Sequence, residues 1–508
     1  MTDRLRPAVA GLLAALTALA LSELVAGLVA AVPSLVESVG GVVIDNVPPG
    51  VKDWAISTFG TADKPVLIFG IVITVAGLGA LTGVLARRRF WVAGIVFVGF
   101  GVLGALAAYL DGTDVYGATV GGLVAVVSGL GVLRWLYGRL EAGGAVGEGP
   151  SDVSRRAFLA GAGAVMALAA LSAGAGRILV ERAKRMVAGR DSVVLPVPAE
   201  VAAAPPPAAS FTVTELAPLI TPNDEFYKID TSLSTPQVDL SDWTLRVHGM
   251  VDRPYEIDFA DLLDMEMVER YITLSCVSNE VGGRLVGNAK WLGVPLNQIL
   301  DRARVPTGAE QVVGRSVDGF TVGFPVSAVY DGRDALVAVG MNDEPLPFDH
   351  GFPARLVVAG LYGYVSATKW LSDIELTTWD GFDAYWVPRG WSKEGPIKTQ
   401  SRIDTPRNRA LIAPEERAIA GVAWAPNIGI DRVEVQIDDA PWVEAELAEA
   451  LDADTWRQWR VPWQPTPGEH RIRVRATDAS GYTQTEELAR PAPDGATGWH
   501  TIRVTVDT

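Results

Sequence analysis

Cys276 is the only cysteine among 508 residues, and the four histidines, His248, His350, His470 and His500, all lie beyond residue 200. A single thiol closes no intramolecular disulfide. Zinc ribbons, Cys-ligated iron–sulfur clusters and CxxC redox pairs are excluded by number alone. Cys276 ends YITLSC (271–276), which reads as a strand, and the polar, Gly-rich VSNEVGGRLVGNAKW (277–291) follows it. Such a loop presents a reactive group with little steric cover. Three readings are open: a buried inert thiol, a nucleophile with His350 as its base, or a soft thiolate ligand to a metal whose other ligands belong to a cofactor.

A second group lies downstream. Asp349-His350-Gly351-Phe352-Pro353-Ala354-Arg355 is a compact polar turn ahead of ARLVVAG (354–360), which reads as a buried strand. A histidine and an arginine on one turn can clasp a phosphate, because the guanidinium offers a bidentate fork. Lys369, Trp370 and KEGPIKTQSR (393–402) add basic residues to an acidic background. The plain alternative is a turn closed by its own hydrogen bonds, with solvated charges.

These residues need elements to hold them. WTLRVHGMV (243–251) alternates as a strand and stops at Asp252-Arg253-Pro254. FADLLDMEMVERY (259–271) and VPLNQILDRARV (294–305) have helical spacing. The mixture predicts an α+β domain. After residue 411, AIAGVAWA, RVEVQIDD, HRIRVRATD and WHTIRVTVD alternate with period two between turn-rich segments, predicting an immunoglobulin-like β-sandwich without a disulfide.

The first 190 residues differ in kind. Hydrophobic residues make up 49% of the chain, charged residues only 20%, and the mean hydropathy is +0.23. Stretches near 8–32, 65–86, 91–110, 116–137 and 157–176 meet the length of about 20 apolar residues that a bilayer crossing needs. Arg4, Arg6, Arg87–Arg89, Arg134, Arg139, Arg155 and Arg156 place the alternate ends in the cytoplasm, so residues beyond about 180 fall outside it. Ser154-Arg155-Arg156-Ala157-Phe158-Leu159, a weakly hydrophobic span and the trailing Arg177, Arg182, Lys184, Arg185 and Arg190 resemble a twin-arginine export signal retained as an anchor. With no histidine or cysteine, this half cannot ligate bis-His haem or a cysteine-held cluster. Glu23 sits inside the first span, where a carboxylate is a candidate for function or for a polar bundle interior.

Charge separates the two parts. Residues 1–190 carry 16 Lys+Arg against 12 Asp+Glu, and residues 191–508 carry 27 against 47. The acidic second part argues against nucleic-acid binding, which needs clustered cations. The domain boundaries read as a four-helix transmembrane domain (1–140), the twin-arginine segment and fifth helix (141–190) and a Pro/Ala-rich spacer (191–210). An α+β catalytic domain (211–405) and the sandwich (406–508) complete the chain.

From about 211 to 490 the chain resembles the sulfite oxidase family of molybdopterin enzymes. TLSCVSNEVGGRLVGNAKWLGVPL is similar to that family's cysteine loop, and PLPFDHGFPARLVVAGLYGYVSATKWL to its pterin-binding segment. SRIDTP, GVAWAPNIGIDRVEVQIDDAPW and RVRATDASGYTQ resemble its C-terminal dimerisation domain, and ITPNDEFYKID its opening segment. The resemblance implies Cys276 as thiolate ligand of a molybdenum held by one pyranopterin. It implies Asn223, Phe226, Tyr227 and Lys228 along the pterin, with Asn288, Lys290 and Trp291 beside the cysteine loop. His350 and Arg355 would hold the pterin and its phosphate, and Ser366 and Lys369 would close over that phosphate. The implied chemistry is oxygen-atom transfer on a small sulfur or nitrogen oxide, with no haem or iron–sulfur cluster in this chain. Electrons would pass to a separate partner or to quinone, and the sandwich would pair two copies into a homodimer. Sulfite-oxidising members usually carry arginine soon after the cysteine. Here Glu280 follows, and close like charges disfavour a sulfite dianion by a few kcal/mol in a poorly solvated site. Neutral oxides such as a sulfoxide are therefore equal candidates. A cofactor-free scaffold with the same fold is the alternative from another class.

Overall fold

The computed structural model describes residues 5–29, 32–48, 51, 54–55, 58–59, 62–110, 115–141, 152–187, 189–233 and 235–507. The chain divides into two compact units, an N-terminal helical one and one comprising residues 189–231 and 235–508.

The helical unit contains α1 (Leu5–Leu28), α2 (Leu35–Asn46), α3 (Asp63–Ala86), α4 (Trp91–Leu110), α5 (Val115–Glu141) and α6 (Asp152–Val187). Five of these hold a segment long and apolar enough to cross a membrane: Leu5–Leu28, Asp63–Ala86, Trp91–Leu110, Val115–Leu140 and Leu159–Gly176. They coincide with the five expected stretches to within a few residues. α1 packs against α3, α5 and α6. Its approach to α3 needs glycine, because a Cβ on Gly11 would lie 2.1 Å from the Gly79 carbonyl oxygen. α2 was not expected. It is short and mixed in polarity, and it starts where the Ser34 hydroxyl caps the Glu37 N–H. Ser34 also donates to Glu23 Oε1 at 2.8 Å, so the intrahelical carboxylate has a hydrogen-bond donor. The side chains of Arg155 and Arg156, and the short acidic turn 111–114, lie outside the described residues.

The second unit is built from four sheets. The first has the order β2 (Tyr255–Asp258), β1 (Thr244–Gly249), β10 (Leu371–Thr377), β5 (Gln311–Ser316) and β6 (Thr321–Pro325). The second joins β3 (Val268–Ser275), β4 (Val286–Pro295), β7 (Ala335–Met341) and β8 (Glu344–Pro345), with β9 (Arg355–Val358) also paired to β7. Leu245, Val247, Ile299, Leu300, Val337, Leu356 and Ile374 share one core, all fully buried. FADLLDMEMVERY is not one helix. The Asp258–Asp261 capping box starts a single turn, Phe259–Leu263, and β3 takes over at Val268. Pairing with β4 along its whole length outweighs the weak helical periodicity of a short segment.

The C-terminal part is a two-sheet sandwich. One sheet runs β11 (Gln400–Thr405), β13 (Arg417–Trp424), β17 (Arg457–Trp463) and β16 (Glu446–Leu447). The other runs β12 (Leu411–Ile412), β19 (His500–Val506), β18 (Gly468–Asp478), β14 (Ile430–Ile437) and β15 (Val443–Glu444). Ile419, Trp459, Val433, Ile472 and Ile502 from both inner faces form its core. β11 belongs to this sandwich, so the domain change falls before residue 400 rather than at 405. The expected spacer 191–210 is extended but not free. The Ala199 N–H donates to Met267 O at 2.8 Å, Glu269 N–H to Glu200 O at 2.8 Å, and Glu449 N–H to Ala208 O at 2.9 Å. Its prolines give an extended backbone that covers the open edge of β3.

Candidate active site

Cys276 lies one residue past β3, at the start of the β3–β4 hairpin loop. Its N–H donates to Leu285 O at 2.9 Å, and its carbonyl accepts from the Asn279 N–H at 3.1 Å. Asn279 Oδ1 in turn accepts from the Leu285 N–H at 2.8 Å. The thiol is free and buried. Burial raises its pKa, while hydrogen bonds from Ser278 and the charge of Lys369 act the other way. Burial thus works against a free thiolate, the opposite of the activation that a hydrolase nucleophile needs. His350 hydrogen-bonds through Nε2 to the Asn223 carbonyl, not to this sulfur.

β4 sorts its side chains by the two-residue period of a strand. Trp291 is fully buried on the site face, edge-on to Phe226 at 5.9 Å and 5.0 Å below the Arg355 guanidinium. Phe226 stacks on Tyr227 at 5.1 Å and meets the His350 ring edge-on at 5.5 Å. A Cβ on Gly287 would lie 2.7 Å from the Phe226 ring, so only glycine leaves room for it. Asn288 and Lys290 belong to the other parity and stand outside this group. Asn288 accepts from the Thr273 hydroxyl at 3.1 Å and donates to Leu219 O at 2.9 Å. Lys290 pairs with Glu269 at 3.2 Å and Asp343 at 2.5 Å. We expect Trp291→Ala to cost about 3–5 kcal/mol, read by thermal unfolding, since a buried indole and its contacts are lost together.

The segment 347–370 supplies the polar groups. A short 3-10 turn, Phe348–His350, ends at Gly351 with φ 107°. A Cβ there would lie 2.9 Å from Lys369 Cα, so this glycine lets the histidine turn and Lys369 pack together. Arg355 opens β9 at 4% exposure and donates Nη1 to His350 O at 3.0 Å. Among the described residues no carboxylate pairs with it, and burial lowers its pKa to about 10. Lys369 donates to Asp349 O at 2.8 Å and reaches Asp230 at 3.3 Å. Lys228 pairs with Asp349, whose second oxygen accepts from Thr235 at 2.6 Å. Burial opposes ionisation of Asp349, but these two donors hold its pKa below the usual carboxylate value. Ser366 is buried and donates to Tyr362 O at 3.1 Å, which leaves it a turn-closing role. The Asn223 side chain is likewise occupied, by Met341 O, Glu344 and Asn342.

His350 is 1% exposed. Its Nε2 must donate, because its partner is a carbonyl, so Nδ1 carries the lone pair. Among the described residues Nδ1 has no hydrogen-bond partner. Burial, with Lys369 and Arg355 nearby, lowers the pKa to about 3. A histidine with a depressed folded pKa stabilises fully above the unfolded value, and that stability is lost as pH falls. Cofactor-free protein should lose stability between about pH 6.5 and 3, at no more than about 1.4 kcal/mol per pH unit from this group. His350→Gln should flatten that slope in thermal unfolding measured across pH.

Two further residues belong to the site. Ser278 hydrogen-bonds Cys276, and Tyr362 is buried beside it: burial, with the Cys276 sulfur adding to it, pushes the Tyr362 phenol up to about 12. Both lay in the segments the sequence singled out, two residues after the cysteine and inside LYGY, but neither type carries a spacing signal. Glu280 and Arg284, the charges that follow the cysteine, are both exposed.

The arrangement poses a specific demand. Among the described residues a buried guanidinium lacks an anion and a buried imidazole nitrogen lacks a donor, within one aromatic-walled group beside a buried thiol. A molybdopterin fits it, having ring N–H donors, a phosphate and dithiolene-bound metal in one molecule.

Comparison with known proteins agrees. The family model described as oxidoreductase molybdopterin binding domain matches residues 232–386. Mitochondrial sulfite oxidase of Mus musculus is 28% identical over 342 residues, 56% of this chain and 62% of the mouse protein, so the chain spans under two thirds of that relative. The uncharacterized oxidoreductase YuiH of Bacillus subtilis is 32% identical over 157 residues, covering 31% of this chain and 76% of that protein. The sulfane dehydrogenase SoxCD from Paracoccus pantotrophus shares the fold at a TM-score of 0.51 and 22% identity, over 59% of this chain and 85% of that one. By sequence, fold and the donor set around Cys276, the chain belongs to the sulfite oxidase family of molybdopterin-dependent oxidoreductases.

Proposed function

We propose that this protein is a membrane-anchored oxidoreductase that carries out oxygen-atom transfer on a small sulfur or nitrogen oxide outside the cytoplasm. The observation that carries the reading is the unmatched pair of buried groups, Arg355 and His350 Nδ1, beside the buried Cys276. When bound, the molybdenum cofactor supplies two-electron oxygen-atom transfer. Cys276 is the protein's thiolate ligand. Arg355 takes the cofactor phosphate, His350 accepts from a ring N–H, and Phe226, Tyr227 and Trp291 wall the pterin. Lys228 and Lys369 lend positive charge through the Asp349 turn. Asn223 acts indirectly, by fixing the His350 tautomer.

Neutral oxides such as a sulfoxide stand as candidates beside sulfite. Arg402 beside the cysteine loop is neutralised by Asp404 at 2.6 Å, and Lys398 by Asp494 at 3.0 Å. Neither offers a free cation to a sulfite dianion. The five apolar helices support a multi-pass anchor, and the arginine pattern supports an extracytoplasmic catalytic unit. The twin-arginine segment fits export after cofactor insertion. Electrons pass to a separate partner or to quinone, and the immunoglobulin-like sandwich is the surface for pairing two copies.

The test is molybdenum per polypeptide by plasma mass spectrometry, on full-length chain purified from cells that make the cofactor. About one metal per chain is the expected result. Folded, membrane-inserted protein without molybdenum would leave the cofactor-free scaffold in its place.

A further inference from the structure

The sandwich touches the cysteine hairpin at both ends. At the stem, the Thr273 N–H on β3 donates to Asp454 O at 2.9 Å, and the Trp456 N–H donates to the Thr273 hydroxyl at 2.8 Å. The same hydroxyl binds Asn288 across the hairpin at 3.1 Å, which gives Asn288 its place. At the loop, Arg402 of β11 donates Nη1 to Gly283 O at 3.1 Å. Its Nε donates to Asp404 at 2.6 Å, and both side chains are under a tenth exposed. The ring of His500, the first residue of β19, packs against Gly282. Gly282 has φ 78°, and a Cβ on it would fall 2.2 Å from His500 Cδ2. His500 is held in turn, because its Nδ1 accepts from the Ile403 N–H at 3.0 Å.

Cys276 sits between these two grips, three residues after Thr273 and six before Gly282. A hairpin loop of this length, left alone, samples many backbone states. A metal ligand needs one orientation, since a thiolate misplaced by about 1 Å changes both affinity and reactivity. We propose that Arg402 and His500 are positioning residues: the sandwich clamps the Cys276 loop so that the sulfur is presented in a single geometry. This assigns the C-terminal module a part in the active site distinct from any role in pairing two copies. It rests on Cys276 being the metal ligand, the reading given above.

The test uses the full-length chain in detergent. Removing Arg402 alone strands a buried Asp404, so the variant is Arg402→Met with Asp404→Asn, which leaves no unpaired charge. His500→Ala is the second, milder variant. Amide hydrogen exchange of the 277–285 segment should rise at least tenfold in both, with the β5–β6 hairpin (311–325) unchanged as internal control. In metal-loaded protein poised by partial, one-electron reduction with dithionite, the Mo(V) paramagnetic signal should broaden or split. Arg402→Lys, which keeps a donor for Gly283 O, should restore much of the wild-type exchange rate. Gly282→Ala should also speed loop exchange, and adding His500→Ala should recover part of that effect by removing the clash. Wild-type exchange in the loop of the Arg402/Asp404 and His500 variants would overturn the clamp. If wild-type protein carries no molybdenum, the function proposed above fails, while the exchange experiment still decides whether the sandwich holds this loop.

Discussion

Cys276→Ser is expected to abolish turnover while leaving the fold and much of the molybdenum in place. The thiol is buried and its N–H and carbonyl are fixed within the loop, so an isosteric hydroxyl changes little in packing. It changes the metal's electronics, because a hydroxyl is a hard, weakly acidic group where a soft thiolate was required. The loss should be roughly a thousandfold or more in kcat with KM little altered, the pattern of an interaction that matters in the transition state rather than in binding. Metal analysis and steady-state kinetics on the same preparation separate the outcomes. Turnover within about threefold of wild type would remove Cys276 from the reaction. Loss of all metal would instead assign it to retention of the cofactor.

The second large effect is expected at Arg355, and its sign reverses with cofactor. A buried guanidinium bonded only to backbone carbonyls is unfavourable unless an anion joins it. In cofactor-free protein, Arg355→Met should therefore be neutral or should raise the melting temperature. In protein made with cofactor, the same substitution should cut molybdenum per chain at least tenfold, since a charge-assisted, buried phosphate contact is worth several kcal/mol. Arg355→Lys should recover little, because a lysine cannot form the fork or stack over Trp291. Parallel unfolding and metal measurements on both preparations check the prediction. A variant destabilised equally with and without cofactor would make Arg355 a packing residue instead.

Both effects arise from residues whose importance was readable in different measure. Cys276, His350 and Arg355 stood out because a lone thiol before a glycine-rich loop, and a histidine and arginine sharing a turn, have few other uses in an acidic domain. Their grouping was carried by the family resemblance, not by spacing: 74 residues separate Cys276 from His350. Lys290 and Asn288 entered on the same ground. Their parity on β4 turns them away from the aromatic wall, and that parity was visible only once the strand's register fixed which face carries Trp291.

The amino-acid sequence by itself determined the five membrane-length helices, because about 20 consecutive apolar residues are a local property that needs no tertiary partner. It determined the strand before Cys276, the polar turn at His350 and the alternating strands of the sandwich for the same reason. Tertiary structure alone decided three things. The Pro/Ala segment became an edge cover rather than a spacer, because β3 had an open row of backbone groups for it to pair. Residues 400–405 joined the sandwich, where β11 pairs antiparallel with β13 along its length. The cysteine loop came under the hold of Arg402 and His500, residues more than a hundred positions away whose types announce nothing. Contacts between distant segments depend on how whole sheets pack, and no local pattern of residues encodes them.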